Sequence, residues 1–250
     1  MINQDYVKEF NKLLQSVDVS KNKLTLYSDF LTLAICSISQ PFYRSEEIEE
    51  KYLSTAKGYN NDQINSFAKM FALVVEALEE YPHDFLGNCF QSNEFGSDYK
   101  GQFFTPYHIC QLMAKIQFVG VKEIIQEKGF ITVSEPCVGA GGMIISSREI
   151  LIQEGCNPST DMFVEAIDID EICFKMAYIQ FSLLGIPARV IRGNTLSMQF
   201  YETLYTPLYF INGWHYKLNR KEKAENTPLI TANPVIKIQP INKASQLSLF

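Results

Sequence analysis

The sequence is poor in the residues that build metal centres and extracellular scaffolds. It has only three histidines in 250 residues, and its six cysteines (Cys36, Cys89, Cys110, Cys137, Cys156 and Cys173) are scattered, with no CxxC pair. A zinc site therefore has little support, and buried reduced thiols are expected in place of a disulfide framework. There is one tryptophan, and no apolar run is long enough to span a bilayer. The first residues, MINQDYVKEFNKLL, are amphipathic and charged and lack the apolar core of a secretory leader, so the expected location is the cytoplasm, with no membrane partner and no metal. Basic residues are outnumbered, 22 against 28, for a net charge of −6. An acidic body cannot wrap DNA unaided, because phosphate contacts need Lys and Arg.

That charge is unevenly spread. Residues 1–98 hold 8 basic and 15 acidic residues, 99–216 hold 8 and 11, and 217–250 hold 6 and 2. The basic tail suits either contact with DNA or a solvated linker. At 46% apolar and 20% charged, the composition is that of an ordinary globular protein able to bury a sizeable core.

Hydrophobic periodicity divides the chain. Apolar residues recur at helical spacing over 7–17, 26–39 and 64–81, with Pro41 and Pro82 punctuating the segments. The acidic run Glu46–Glu50 is read as a solvated helix start. A helical domain is expected over 1–95. The Gly- and aromatic-rich stretch FGSDYKGQFFTP (95–106) then leads into a new unit. Helix candidates at 106–119, 141–155 and 171–185 alternate with strand candidates at 129–139, 162–170 and 188–196. This alternation predicts an α/β fold with a parallel, doubly wound sheet over 96–218. Residues 219–250 are polar, apart from PLITANPVIKIQP, which suits an added strand or an extended arm.

Two features of the α/β segment carry chemistry. Glu135-Pro-Cys-Val-Gly139-Ala-Gly141-Gly142 ends an apolar strand and opens a helix. Glycines there allow a sharp bend and close ligand approach, the helix start offers free N–H groups, and an acid at the strand end can pair with a cation. One strand–helix–strand unit later, Asp168 is placed to accept from ribose hydroxyls, while Asp170 suits a cap on the following helix.

Taken in order, GQFFTP (101–106), EPCVGAGG (135–142), the second-strand acid Asp168 and Gly193-Asn-Thr-Leu196 resemble the modification subunits of type I restriction systems and related N6-adenine DNA methyltransferases. The resemblance covers 85 to about 200. It implies a Rossmann-like class I methyltransferase fold with S-adenosylmethionine (SAM) as cofactor and DNA as partner. It places Phe104, Thr105 and Pro106 on the methionine side, Glu135, Gly139 and Gly141 at the amino acid and sugar, Asp168 at the ribose and Asn194 near the adenine.

The sequence departs from that family in several places. Glu135 and Asn194 stand where Asp is usual, and Ala140 where Thr is common. The catalytic Asn/Asp-Pro-Pro-Tyr/Phe is missing. Its nearest counterparts are Tyr205-Thr206-Pro207-Leu208 and Asn233-Pro234-Val235-Ile236, the second retaining Asn-Pro. No target-recognition region is expected within these residues. The terminal Gln246-Leu247-Ser248-Leu249-Phe250 resembles the bacterial sliding-clamp binding pentapeptide, with Gln246, Leu247, Leu249 and Phe250 as contact residues; the bland alternative is an end that packs on the protein's own surface. Two readings therefore stand. One is an adenine methyltransferase with a divergent catalytic loop, or one completed by a partner, with Asn233 and Pro234 in catalysis. The other is a non-catalytic methyltransferase-like protein that docks on the clamp.

Overall fold

The structure, a computed structural model, describes residues 4–95, 104–222 and 230–231. Five helices open the chain: α1 (Gln4–Val17), α2 (Lys23–Tyr43), α3 (Glu46–Ala56), α4 (Asn61–Glu80) and α5 (Phe85–Ser92). Their starts obey capping chemistry. Asn22 accepts from Leu24 N, Ser45 caps the acidic start of α3, and Asn60 and Gln63 form a reciprocal capping box. Pro41 does not end α2 as its position suggested. It sits in the last turn, and the helix runs on to Tyr43 before Arg44 closes it in the left-handed region, with its N–H on Gln40 O at 2.8 Å. Proline there withholds a donor from the Ser37 carbonyl and crowds it, and the helix ends two residues later.

The second part runs α6 (Tyr107–Gln117), α7 (Val121–Lys128), β1 (Ile131–Glu135), α8 (Gly142–Gln153), α9 (Pro158–Asp161), β2 (Met162–Asp168), α10 (Glu171–Leu183), β3 (Ala188–Asn194), β4 (Gln199–Tyr205), α11 (Pro207–Ile211), α12 (Trp214–Glu222) and β5 (Ile230–Thr231). The sheet order is β4-β3-β2-β1-β5. β3, β2, β1 and β5 are mutually parallel, in the βαβ manner that the alternating pattern predicts. β4 departs from it: it turns back antiparallel on β3, with an irregularity at Arg192/Gly193. A turn of four residues between the two strands is too short for a parallel crossover.

α10 is buried on almost every side, from Ile172 through Phe181. It packs against β2 and β3 and also against α2, α4 and α5. Its near-continuous apolar sequence follows from that double contact. One core accordingly runs from Phe10 in α1 to Leu204 in β4. The junction at 95/96 borders residues outside the described set, as do most of 219–250.

Strand alternation sends Met162, Val164 and Ala166 into this core and Phe163 to the other face, where it meets Phe130 and Trp214. Trp214 is fully buried, edge-on to Phe130 at 5.0 Å, and donates Nε1–H to Ser159 O at 3.1 Å. It packs against the sheet through Phe163.

Replacing Trp214 with Ala should remove that anchor and leave the Ser159 carbonyl with the Asn212 side-chain amide as its donor. The expected cost is about 3–5 kcal/mol in urea unfolding. A change under about 1 kcal/mol would show that the cluster does not hold α12 to the sheet.

Candidate cofactor site

A cleft of about 360 Å³ opens at the carboxyl ends of β1 and β2, within the size range of small-molecule sites. Glu135 closes β1 and Asp168 closes β2. Between β1 and α8 the chain turns through Gly139 and Gly141, both at positive φ, +57° and +105°. At Gly139 the backbone passes so close to Phe104 that a Cβ would lie 3.2 Å from its ring. At Gly141 a Cβ would lie 2.6 Å from the ring of Phe181.

The carboxylates are held by backbone donors. Asp168 Oδ2 accepts from Gly139 N at 2.8 Å and Oδ1 from Asp170 N at 2.9 Å, which pins the first turn to the second strand. Glu135 Oε1 accepts from Cys137 N at 3.3 Å. A third acid, Asp84, enters the wall from the start of α5. Its Oδ1 accepts from Gly87 N at 2.9 Å and from Gln180 Nε2 at 3.0 Å. Burial raises all three carboxyls above their ordinary values. Backbone N–H bonds oppose this at Glu135 and Asp168, and the Gln180 side chain opposes it at Asp84. Among the described residues lining the cleft there is no Lys, Arg or His. α8 begins at the cleft with no side-chain cap, so its first amides are open to a ligand.

Five of the residues singled out from the sequence meet here: Phe104, Thr105, Glu135, Gly139 and Asp168. Three do not line the cleft. Gly141 serves packing against Phe181, and its N–H is spent on Val138 O at 3.0 Å. Pro106 precedes α6, where its carbonyl accepts from Ile109 and Cys110. Asn194 folds its side chain back, Oδ1 accepting from Leu196 N at 2.9 Å and Ser197 N at 3.2 Å, as an Asx turn into the β3–β4 connection. Asp170 caps α10, accepting from Ile172 and Cys173. Asn233 and Pro234, the Gly101–Phe103 part of GQFFTP, and Gln246, Leu247, Leu249 and Phe250 lie outside the described residues.

Sequence reading missed Asp84, Cys110, Met113, Met143 and Cys173 in the lining. Asp84 lies some fifty residues before Glu135, and its local pattern, Asp before Phe-Leu-Gly, reads only as a helix cap.

The chain matches the N-6 DNA Methylase family over residues 85–243, more than half its length. It belongs to that family. SAM is the cofactor of these methyltransferases, and the cleft fits it: a cationic cofactor suits buried carboxylates without a counter-ion, and its amino-acid carboxylate suits an uncapped helix start. Among solved structures, one titled as a class I SAM-dependent methyltransferase from Listeria monocytogenes is 14% identical, with TM-score 0.39, covering 74% of this chain and 52% of that one. A modification subunit of a type I restriction enzyme from Vibrio vulnificus is 14% identical, TM-score 0.32, covering 60% and 28%. A type I restriction-modification methyltransferase subunit from Streptococcus thermophilus is 15% identical, TM-score 0.36, covering 73% and 55%. The chain thus spans about half the length of the first and third and less of the second. A comparison with curated proteins finds no match. No helix among the described residues is long and apolar enough to cross a membrane.

The raised carboxyls of the cleft fix a sign. Only between the ordinary carboxyl values and the raised ones does the folded chain hold protons at Asp84, Glu135 and Asp168 that the unfolded chain has released. Their contribution to stability is therefore fully present below about pH 4 and is lost as pH rises through the raised values. The triple variant Asp84→Asn, Glu135→Gln, Asp168→Asn should gain stability relative to the wild type as pH rises from about 4 to 7. Urea midpoints that stay parallel across that range would show that the three acids are not held in a desolvated cleft.

Proposed function

We propose that this chain is a SAM-dependent DNA methyltransferase acting at adenine N6. Its helical region over 1–95 is braced against a catalytic unit over 96–218, a tail follows over 219–250, and the protein works in the cytoplasm. The observation that carries this reading is the cleft itself: three carboxylates without a cation among its described lining, beside a Gly turn and an uncapped helix start. Phe104, Thr105, Glu135, Gly139 and Asp168 are the residues offered for cofactor binding, Asp168 facing the ribose hydroxyls.

When bound, SAM supplies an electrophilic methyl group. For the target base, the assignment is Asn233 and Pro234. Support comes from β5: Thr231 pairs with Ser134, one residue short of Glu135, and Asn233 follows Thr231 by two positions in the chain. The Asn side-chain carbonyl and the Pro backbone carbonyl accept from the amino group of a flipped adenine, which directs the nitrogen lone pair toward the methyl donor. Replacing Asn233 with Ala should lower transfer of labelled methyl groups to unmethylated DNA by about a hundredfold or more while SAM binding persists. Undiminished transfer would remove Asn233 from the site.

A second reading is favoured by the terminal Gln246-Leu247-Ser248-Leu249-Phe250, a short peptide with apolar anchors suited to a hydrophobic pocket on the bacterial sliding clamp. On this reading the protein is a clamp-docked methyltransferase-like binding protein. Removing 246–250 should abolish capture of the protein by immobilised clamp, and capture of the shortened chain at full strength would defeat the docking role.

A further inference from the structure

We propose that Asp84 is the anchor for the ammonium group at the amino-acid end of SAM, beside a seat for its carboxylate at the start of α8. The inference rests on the cofactor reading above and goes beyond the glycine turn and the strand-end acids.

The acids enter the cleft from different elements. Asp168, at the end of β2, is bonded to Gly139 of the glycine turn. Asp84, at the start of α5, lies beside the first residue of α8. A Cβ built on Gly142, the first residue of α8, would lie 3.6 Å from Asp84 Oδ2 and 3.5 Å from Cys110 Sγ. Cys110 in turn contacts the carbonyl of Thr105 at 3.6 Å, so Asp84, Cys110, Gly142 and Thr105 form one corner. An α-amino acid presents an ammonium and a carboxylate on the same carbon. That corner offers a carboxylate beside the first residue of an uncapped helix, the complementary pair of charges for such a group.

Asp84 is also built to stay put. It is 7% exposed, and Gln180, wholly buried, holds its Oδ1 while donating to Ala140 O at 2.7 Å and accepting from Leu86 N at 3.1 Å. The hydrogen bonds from Gly87 and Gln180 both fall on Oδ1, while Oδ2 lies against Gly87 and, with the Asp84 Cβ, is 3.6 Å from where a Cβ at Gly142 would be. Burial already holds this carboxyl above its ordinary value, so an arriving cation relieves a standing cost.

The simpler role for Asp84 is the cap of α5, and Asp84→Asn separates the two. Asn keeps an oxygen to accept from Gly87 and Gln180 and loses only the charge. By calorimetry, the purified chain and this variant are titrated with SAM, with S-adenosylhomocysteine and with 5′-methylthioadenosine, which lacks the amino-acid end. The variant should bind the first two about ten- to a hundredfold more weakly and the third unchanged. Equal binding of SAM by both proteins overturns the proposal. So does a matching loss for all three ligands, which marks a scaffold role. Should a thermal melt show the variant unfolded, Gly142→Ala serves in its place. Its methyl meets Asp84 at ordinary contact distance and covers the carboxylate, and the same selective loss is expected. A wild-type chain that binds none of the three ligands fails at the cofactor reading itself, and this inference falls with it.

Discussion

Everything around the cleft depends on one buried amide. Gln180 projects from the last turn of α10 and bonds three groups in two segments: the carbonyl of Ala140 in the glycine turn, and the carboxylate of Asp84 and the N–H of Leu86 at the start of α5. An apolar side chain there would take that partner from the Ala140 carbonyl and the Leu86 N–H, at about 1–3 kcal/mol each, and leave Asp84 Oδ1 with Gly87 N. The helical region thereby fixes the shape of the nucleotide turn, although the two are separated by the junction around residue 95. Tyr27 reinforces the link from α2, donating to Leu86 O at 2.8 Å and touching Met176 of α10.

The electrostatic character of the site follows from that packing. Bringing α5 against α10 puts Asp84 beside two strand-end acids in a cleft where no described lining residue balances them. Such an arrangement destabilises the free protein and rewards a cationic ligand. The cysteines of the lining do not alter the balance. Desolvation raises the thiols of Cys110, Cys137 and Cys173, which keeps them neutral and weakly reactive; the expectation of buried thiols holds for Cys36, Cys89, Cys110 and Cys173, but Cys137 is exposed in the turn after β1 and Cys156 is half-buried.

The far side of the sheet ends differently. β4 folds back on β3 and presents exposed Phe200 and Tyr201, while Tyr43 of α2 ties the end of the hairpin by its hydroxyl to Tyr205 N. Arg192 and Glu202 pair across the two strands at 3.5 Å, and Arg189 and Glu165 pair across β3 and β2 at 3.0 Å. These half-exposed pairs set register more than stability. Thr206 closes the hairpin internally, donating to Ile186 O and accepting from Ala188 N.

Elements whose signal is local were readable before folding. Helix periodicity, the cap at Asp170 and the glycine turn after Glu135 all depend on neighbours a few residues away. The βαβ alternation follows, because strands flanked by helices of that length can return only in parallel. Glu135, Gly139 and Asp168 belong to that class. Tertiary structure decided the rest. Gly141 and Asn194 have the residue types of ligand contacts, yet the nearby Phe181 ring takes up the first and a backbone turn the second. Asp84 has the local signal of a helix cap, and only the burial of α10 between the sheet and the helical region, with Gln180 in its last turn, carries that cap into the wall of the cleft.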